Sequence, residues 1–139
     1  MSADAVRSAS VLVIEDDADI QQTLAQVLTD EGYAVDCAQD GAEALAKLQA
    51  GARPSVILLD LWMPRMNGFG FRSAQLASAE TADIPVVVVT AGGVAPGEMA
   101  ALRLAYVMHK PVDLEILLRV VHRLSSRPRP AAHERTLHA

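Results

Sequence analysis

Residues 56–68 read VILLDLWMPRMNG. Four aliphatic side chains, Val56 to Leu59, run without polar interruption into one carboxylate, Asp60. A short unbroken apolar run is the pattern of a strand covered on both faces, as at the centre of a parallel sheet. Asp60 then stands at the carboxyl end of that strand, the edge where open α/β sheets bind ligands. Pro64, Asn67 and Gly68 follow, so the chain turns over that edge in a loop. A helix N-cap or a plain loop acid is the simpler account of Asp60. An acid directly behind four aliphatics is costly to bury without a task, which favours function.

The same pattern recurs on either side. Val11–Ile14 is a second unbroken run and ends in Glu15, Asp16 and Asp17. Tyr33–Ala38 reads as a strand, Ile84–Val89 delivers Thr90, and Ala105–Met108 is followed by His109, Lys110 and Pro111. Helical spacing fills the gaps. Ile20, Leu24, Val27 and Leu28 mark a helix over Ala18–Glu31 with Asp17 able to cap it, and Gly32 is a suitable stop. Asp40 and Glu43 form a capping-box pattern before a helix from about Gly41 to Ala50. Further helices are expected from Gly68 to about Ala79, over Glu98–Leu104, and from Asp113 to about Leu124. Strand and helix thus alternate five times. The expected fold is α/β: a doubly wound, five-stranded parallel sheet with helices on both faces.

Composition bounds the function. A chain of 139 residues, half of it apolar, has material for one core. A formal charge of −5 argues against a nucleic-acid surface, which needs clustered Lys and Arg. The apolar runs are too short to cross a bilayer, and a cytoplasmic protein is expected. The single cysteine, Cys37, reads as a buried structural thiol. Residues 1–9 read as a flexible lead-in. Residues 125–139, rich in Arg, Pro, Ser and His, read as a disordered tail or the start of a linker.

Parallel strands end on one side, so Glu15, Asp16, Asp60, Thr90 and Lys110 converge. Carboxylates without His or Cys companions are hard oxygen ligands that favour Mg²⁺ over zinc. Lys110 is a point charge suited to a phosphoryl group, and Thr90 offers a hydroxyl to the same oxygens. These groups describe phosphoryl chemistry with metal charge compensation, in which Asp60 becomes an aspartyl phosphate. A structural Lys110–Asp60 bridge is the plainer reading, and the two are compatible.

On these residues the chain resembles a response-regulator receiver domain of the chemotaxis-regulator type. The resemblance rests on VLVIEDD at 11–17, LLDLWMPRMNG at 58–68, IPVVVVTA at 84–91 and KP at 110–111, and spans residues 10–124. It implies a flavodoxin-like strand order 2-1-3-4-5. It also implies that Asp60 accepts a phosphoryl group from a sensor histidine kinase or a histidine phosphotransfer protein. Asp16 and Asp60 would ligate Mg²⁺, with Glu15 acting through water and the Trp62 carbonyl completing the set. Lys110, the Thr90 hydroxyl and the Ala91 N–H would hold the phosphoryl oxygens, and the Lys110–Pro111 bond would be cis. Output would pass to a downstream protein partner or a homodimer through the fourth helix and fifth strand.

Three departures bear on that output. The family's switch aromatic lies three residues before the lysine, where this chain has Val107; Tyr106 is one residue earlier. In a strand, a one-residue offset points a side chain to the opposite face unless a bulge intervenes. The Thr90–Lys110 segment is short, which predicts a shortened fourth helix, and Val112 replaces a common Phe. Trp62 places a bulky ring two residues after the acceptor, where it would shield an acyl phosphate from water. Three other readings compete. A haloacid-dehalogenase-type phosphatase would need an acid where Trp62 stands. A flavodoxin-like nucleotide binder would need a phosphate loop where Glu15-Asp16-Asp17 stands. A receiver-fold scaffold or phosphorelay intermediate would need only the altered switch region.

Overall fold

The computed structural model describes residues 9–93 and 95–126. It contains five strands, β1 (Ser10–Ile14), β2 (Ala34–Ala38), β3 (Val56–Leu59), β4 (Val86–Thr90) and β5 (Tyr106–His109). Five helices alternate with them: α1 (Ala18–Asp30), α2 (Gly41–Gln49), α3 (Gly68–Leu76), α4 (Pro96–Ala101) and α5 (Leu114–Ser125). All pairings are parallel, in the order β2-β1-β3-β4-β5. The expected architecture is the one observed.

Pleating divides the core into two layers. Val11, Val13, Val56, Leu58, Val87 and Val89 face Leu24 and Leu28 of α1 and Leu117 and Val121 of α5. Their neighbours Leu12, Ile14, Ile57, Leu59, Val86 and Val88 face Ala44 and Leu48 of α2, Phe71 of α3 and Leu102 beyond α4. Every residue of β3 and β4 is buried, which is why these strands read as unbroken apolar runs. Edge strands β2 and β5 are only partly buried instead. This accounts for Cys37, which is partly buried rather than buried, with burial raising its thiol pKa.

Boundaries moved where side chains intervened. Helix α3 stops at Leu76, short of the expected Ala79, because Gln75 turns the chain. Its Nε2 donates to the carbonyls of Thr81 (2.8 Å) and Ile84 (3.0 Å), and the Thr81 hydroxyl donates to the Gln75 carbonyl. β4 begins at Val86 rather than Ile84, since the Ile84 N–H is used by Thr81 and Pro85 has none. α4 spans only six residues and ends at Ala101, three before the expected Leu104. At the amino end, Ala9 is already buried and accepts the Ala34 N–H. At the other end α5 reaches Ser125. The remaining expected lead-in and tail, residues 1–8 and 127–139, lie outside the described residues.

The capping box at Asp40 forms with a variation. Asp40 accepts from the Glu43 N–H (2.8 Å), while Glu43 reaches back to the Gln39 N–H. Arg65, in left-handed backbone at φ 59°, adds a guanidinium pair to the same carboxylate, tying the β3–α3 loop to α2. The Glu43 N–H bond, against burial and with Arg65 beside it, holds this carboxyl below its ordinary value of 3.8. A depressed carboxyl stabilises the fold above its unfolded pKa, and the effect fades as pH falls through the folded pKa. Asp40→Asn is therefore expected to flatten the acid-side loss of stability below about pH 3.8, read as the difference between urea midpoints of variant and parent.

Candidate functional site

Because all five strands run parallel, their carboxyl ends share one edge. β1 ends before Glu15, β3 before Asp60, β4 at Thr90 and β5 immediately before Lys110. One carboxylate oxygen each from Glu15, Asp16 and Asp60 lies within 4.8 Å of the others. Glu15 and Asp60 are buried, at 2% and 5% exposure, whereas Asp16 faces solvent. Asp17 is absorbed elsewhere, accepting the Asp19 and Ile20 N–H groups as the cap of α1. Capping thus explains one of the three consecutive acids and leaves two.

Lys110 Nζ enters this cluster, 2.8 Å from Glu15 Oε1 and 3.5 Å from Asp60 Oδ2. Its shorter contact is with Glu15, so the Lys110–Asp60 bridge is present but secondary. Burial raises the Glu15 pKa and the Asp60 charge adds to it, against the Lys110 and Asp17 N–H hydrogen bonds. For Lys110, burial opposes the charge, but the Glu15 hydrogen bond and the two carboxylates outweigh it and raise its pKa. One ammonium, in contact with two of them, therefore stands against a cluster of three carboxylates. The residual negative charge and the all-oxygen donor set fit a hard divalent cation such as Mg²⁺.

Local structure fixes each group. The Asp60 N–H joins the Ile14 carbonyl (3.0 Å), and the Trp62 N–H donates to Asp60 Oδ1 (3.2 Å). Gly68 closes the loop overhead, its N–H on the Leu61 carbonyl. A Cβ there would lie 2.7 Å from both the Asp60 carbonyl oxygen and Leu61 Cα, so only glycine fits. Thr90 is fully buried; its carbonyl receives the Lys110 N–H and its hydroxyl oxygen accepts the Gly92 N–H (3.2 Å). Ala91 follows in the exposed β4–α4 loop. The Lys110–Pro111 peptide bond is cis. Every residue expected at the site is at this edge.

The pairing of β4 with β5 has a definite geometry. Val87, Val88, Val89 and Thr90 pair with Tyr106, Val107, Met108 and His109 without interruption, so β5 contains no bulge. Val107 packs into the layer beneath α2 and α3. Tyr106 lies opposite, 42% exposed, in a groove with Ile116, Val120 and Leu124 of α5.

Several contributors escaped the sequence reading. Gln21 Nε2 ties the carbonyls of Glu15 (3.0 Å) and Ala38 (3.2 Å), holding the acidic turn in place. Arg72, 4% exposed, donates to the carbonyls of Leu102 (2.8 Å) and Arg103 (2.7 Å) and to Gln75 Oε1 (2.7 Å). Its only local signal is the Arg72–Gln75 spacing of three on a helix face.

Comparison with known proteins agrees with this arrangement. The model of the response regulator receiver domain matches residues 11–122. The chain belongs to the response-regulator receiver family. Response regulator MprA of Mycobacterium sp. (strain KMS) is 37% identical over 122 residues, covering 86% of this chain and 52% of the relative. MprA of Mycobacterium bovis (strain BCG / Pasteur 1173P2) is 35% identical over 125 residues, covering 88% and 53%. The chain spans about half the length of these curated relatives. Among solved structures, the chemotaxis response regulator CheY4 of Vibrio cholerae superposes with a TM-score of 0.77 at 35% identity, covering 84% of this chain and 98% of that one. A response regulator receiver protein from Pseudomonas putida gives 0.78 at 27%, covering 84% and 97%. As a receiver domain, the chain is a signalling module of two-component systems, whose regulators work with histidine kinases and downstream effectors. Among the described residues no helix is long and apolar enough to cross a membrane.

Proposed function

We propose that this receiver is a phosphoacceptor switch in which Asp60 takes a phosphoryl group from the phosphohistidine of a sensor kinase or a histidine phosphotransfer protein. The observation that carries this is Lys110, whose ammonium reaches both Glu15 and Asp60 inside a cluster of three carboxylates. An Asp60 carboxylate oxygen attacks phosphorus as the P–N bond breaks, leaving its electron pair on the imidazole. Lys110 neutralises the developing phosphoryl oxygens, with the Thr90 hydroxyl and the Ala91 N–H beside them. Asp16 and Asp60, with the Trp62 carbonyl and Glu15 through water, would hold Mg²⁺. When bound, that ion supplies charge compensation in the same transfer. The absence of an acid at Trp62 argues against a turnover phosphatase. The acidic turn after β1 likewise argues against a nucleotide binder.

An apolar groove formed by Ile20 and Leu24 of α1 with Pro111, Val112 and Leu114 opens beside Lys110 and suits a protein phosphodonor. Output passes to a downstream protein partner or a second copy through the α4–β5 surface, without a Tyr106 rotamer change, since Tyr106 faces α5. Neither nucleic acid nor membrane is a partner in this reading, which places the protein in the cytoplasm. A scaffold or phosphorelay intermediate is the second reading, favoured only by the Val107 and Tyr106 geometry.

Intact mass after incubation with acetyl phosphate tests the proposal. One added phosphoryl group is expected with Mg²⁺, and none without Mg²⁺ or in Asp60→Asn. An adduct that survives in Asp60→Asn would overturn it. The Trp62 ring, two residues after the acceptor, is expected to slow hydrolysis of the acyl phosphate. Trp62→Asn should then lose its adduct about tenfold faster, a barrier change of about 1.4 kcal/mol. An unchanged decay rate would remove that role.

A further inference from the structure

The indole of Trp62 is 51% exposed, yet it is held on two sides. Phe69 of α3 meets it edge to face, with ring centroids 5.5 Å apart at 62°. On the other side the ring lies against Gly92 in the β4–α4 loop. A Cβ on Gly92 would come 2.6 Å from Trp62 Nε1 and 3.0 Å from Cδ1, so the seat exists only because that residue is glycine. Gly92 in turn donates its N–H to the Thr90 hydroxyl oxygen at 3.2 Å. The Trp62 N–H donates to Asp60 Oδ1. A short chain of contacts therefore runs from the acceptor carboxylate through Trp62 and Gly92 to the Thr90 hydroxyl. Tyr106 takes no part in it, being on the far side of β5.

We propose that Trp62 is a positioning residue that latches the Thr90 hydroxyl, through Gly92, in its resting place and carries its displacement to the surface. This inference rests on the phosphoacceptor reading and assigns the aromatic that senses Thr90. The Thr90 hydroxyl accepts from Gly92 in the resting state, and phosphorylation of Asp60 offers its own proton charged acceptors in the phosphoryl oxygens, which draw the hydroxyl toward them. The hydroxyl then leaves the Gly92 N–H, Gly92 loses the bond that fixes its backbone, and the indole loses its seat. Because Trp62 is half exposed and meets Phe69 edge to face, its shift alters an exposed aromatic surface at the sheet edge. The latch has two discrete arrangements, as a switch requires.

Two measurements test it, and the first needs no phosphorylation. In the resting protein, Gly92 amide hydrogen exchange followed by NMR is expected to quicken about tenfold in Trp62→Ala and in Thr90→Ala. An unchanged rate in Trp62→Ala overturns the latch. Trp62→Phe, which keeps an aromatic ring, is expected to fall between. The second uses Trp62, the one tryptophan of the chain, as a fluorophore while intact mass is read on the same sample. Emission is expected to change in step with the acetyl phosphate adduct in the wild type and in Tyr106→Ala. In Thr90→Ala, which also loses a phosphoryl contact, the adduct is expected to form more slowly and, compared at equal adduct, without that change. An equal change in Thr90→Ala would mean that the acyl phosphate charge acts directly on the indole, and would overturn the proposal. A wild-type sample that takes up no phosphoryl group refutes the phosphoacceptor reading instead, and the amide measurement still decides the latch.

Discussion

Lys110→Met is expected to slow phosphoryl uptake from acetyl phosphate by about 10²–10³-fold, the usual loss when one preorganised electrostatic group is removed from a reaction site. The ammonium is 2.8 Å from Glu15 and 3.5 Å from Asp60, and methionine keeps the length of the side chain without the charge. The same substitution leaves two buried carboxylates facing each other, and removing one partner of a buried pair costs about 3–5 kcal/mol. Lys110 is partly exposed, so solvent screening reduces the expected loss to about 2 kcal/mol at pH 7.

The sign of its pH dependence follows from Glu15. Burial already raises its carboxyl above the ordinary 4.5, and losing Lys110 raises it further. A raised carboxyl favours the fold below its unfolded pKa, and that advantage is lost as pH rises through the folded value. The variant should therefore approach wild-type stability near pH 4.5 and fall behind as pH rises. In the wild type the raised Lys110 pKa makes its contribution full below about pH 10.5, to be lost as pH rises through the folded value above that. Urea titrations at pH 4.5 and 7 without divalent metal check this. Equal deficits at the two pH values would count against the charge cluster as the cause.

Arg72→Met is expected to cost about 3 kcal/mol, because each buried acceptor left without a donor costs about 1–3 kcal/mol. Three acceptors are involved: the carbonyls of Leu102 and Arg103 and the side-chain oxygen of Gln75. Burial, with Arg103 nearby, lowers the Arg72 pKa, but a guanidinium stays charged throughout the physiological range. Its planar fork reaches all three acceptors at once. Lysine has one ammonium on a flexible stem, so Arg72→Lys should recover only part of the loss. For a domain of this size the Met variant should melt about 10 °C below wild type in a calorimetric scan. A shift under about 2 °C would show that the carbonyls find water or other donors. Amides of α4 and the turn into β5 are expected to lose protection before the rest of the sheet, since Arg72 anchors that turn to α3.

The unbroken aliphatic runs determined β3 and β4 from sequence, because a strand covered on both faces has no polar side to interrupt it. The acids, threonine and lysine at the strand ends were legible because parallel strands bring their carboxyl ends to one edge whatever the loops do. Capping at Asp17 and Asp40 was legible because it depends on neighbours a few residues away. Tertiary structure alone decided which carboxylate Lys110 touches first, since that depends on how far β5 runs relative to β1. It also decided that Arg72 and Gln75 are interior: they satisfy carbonyls 6 to 31 residues away, beyond any local pattern. Trp62 read as a bulky neighbour of Asp60, while its seat on Gly92 depends on the packing of two loops 30 residues apart in sequence. Hydrophobic periodicity is a local record of burial. Polar contacts across loops leave no such record, because their partners are fixed only when the sheet has assembled.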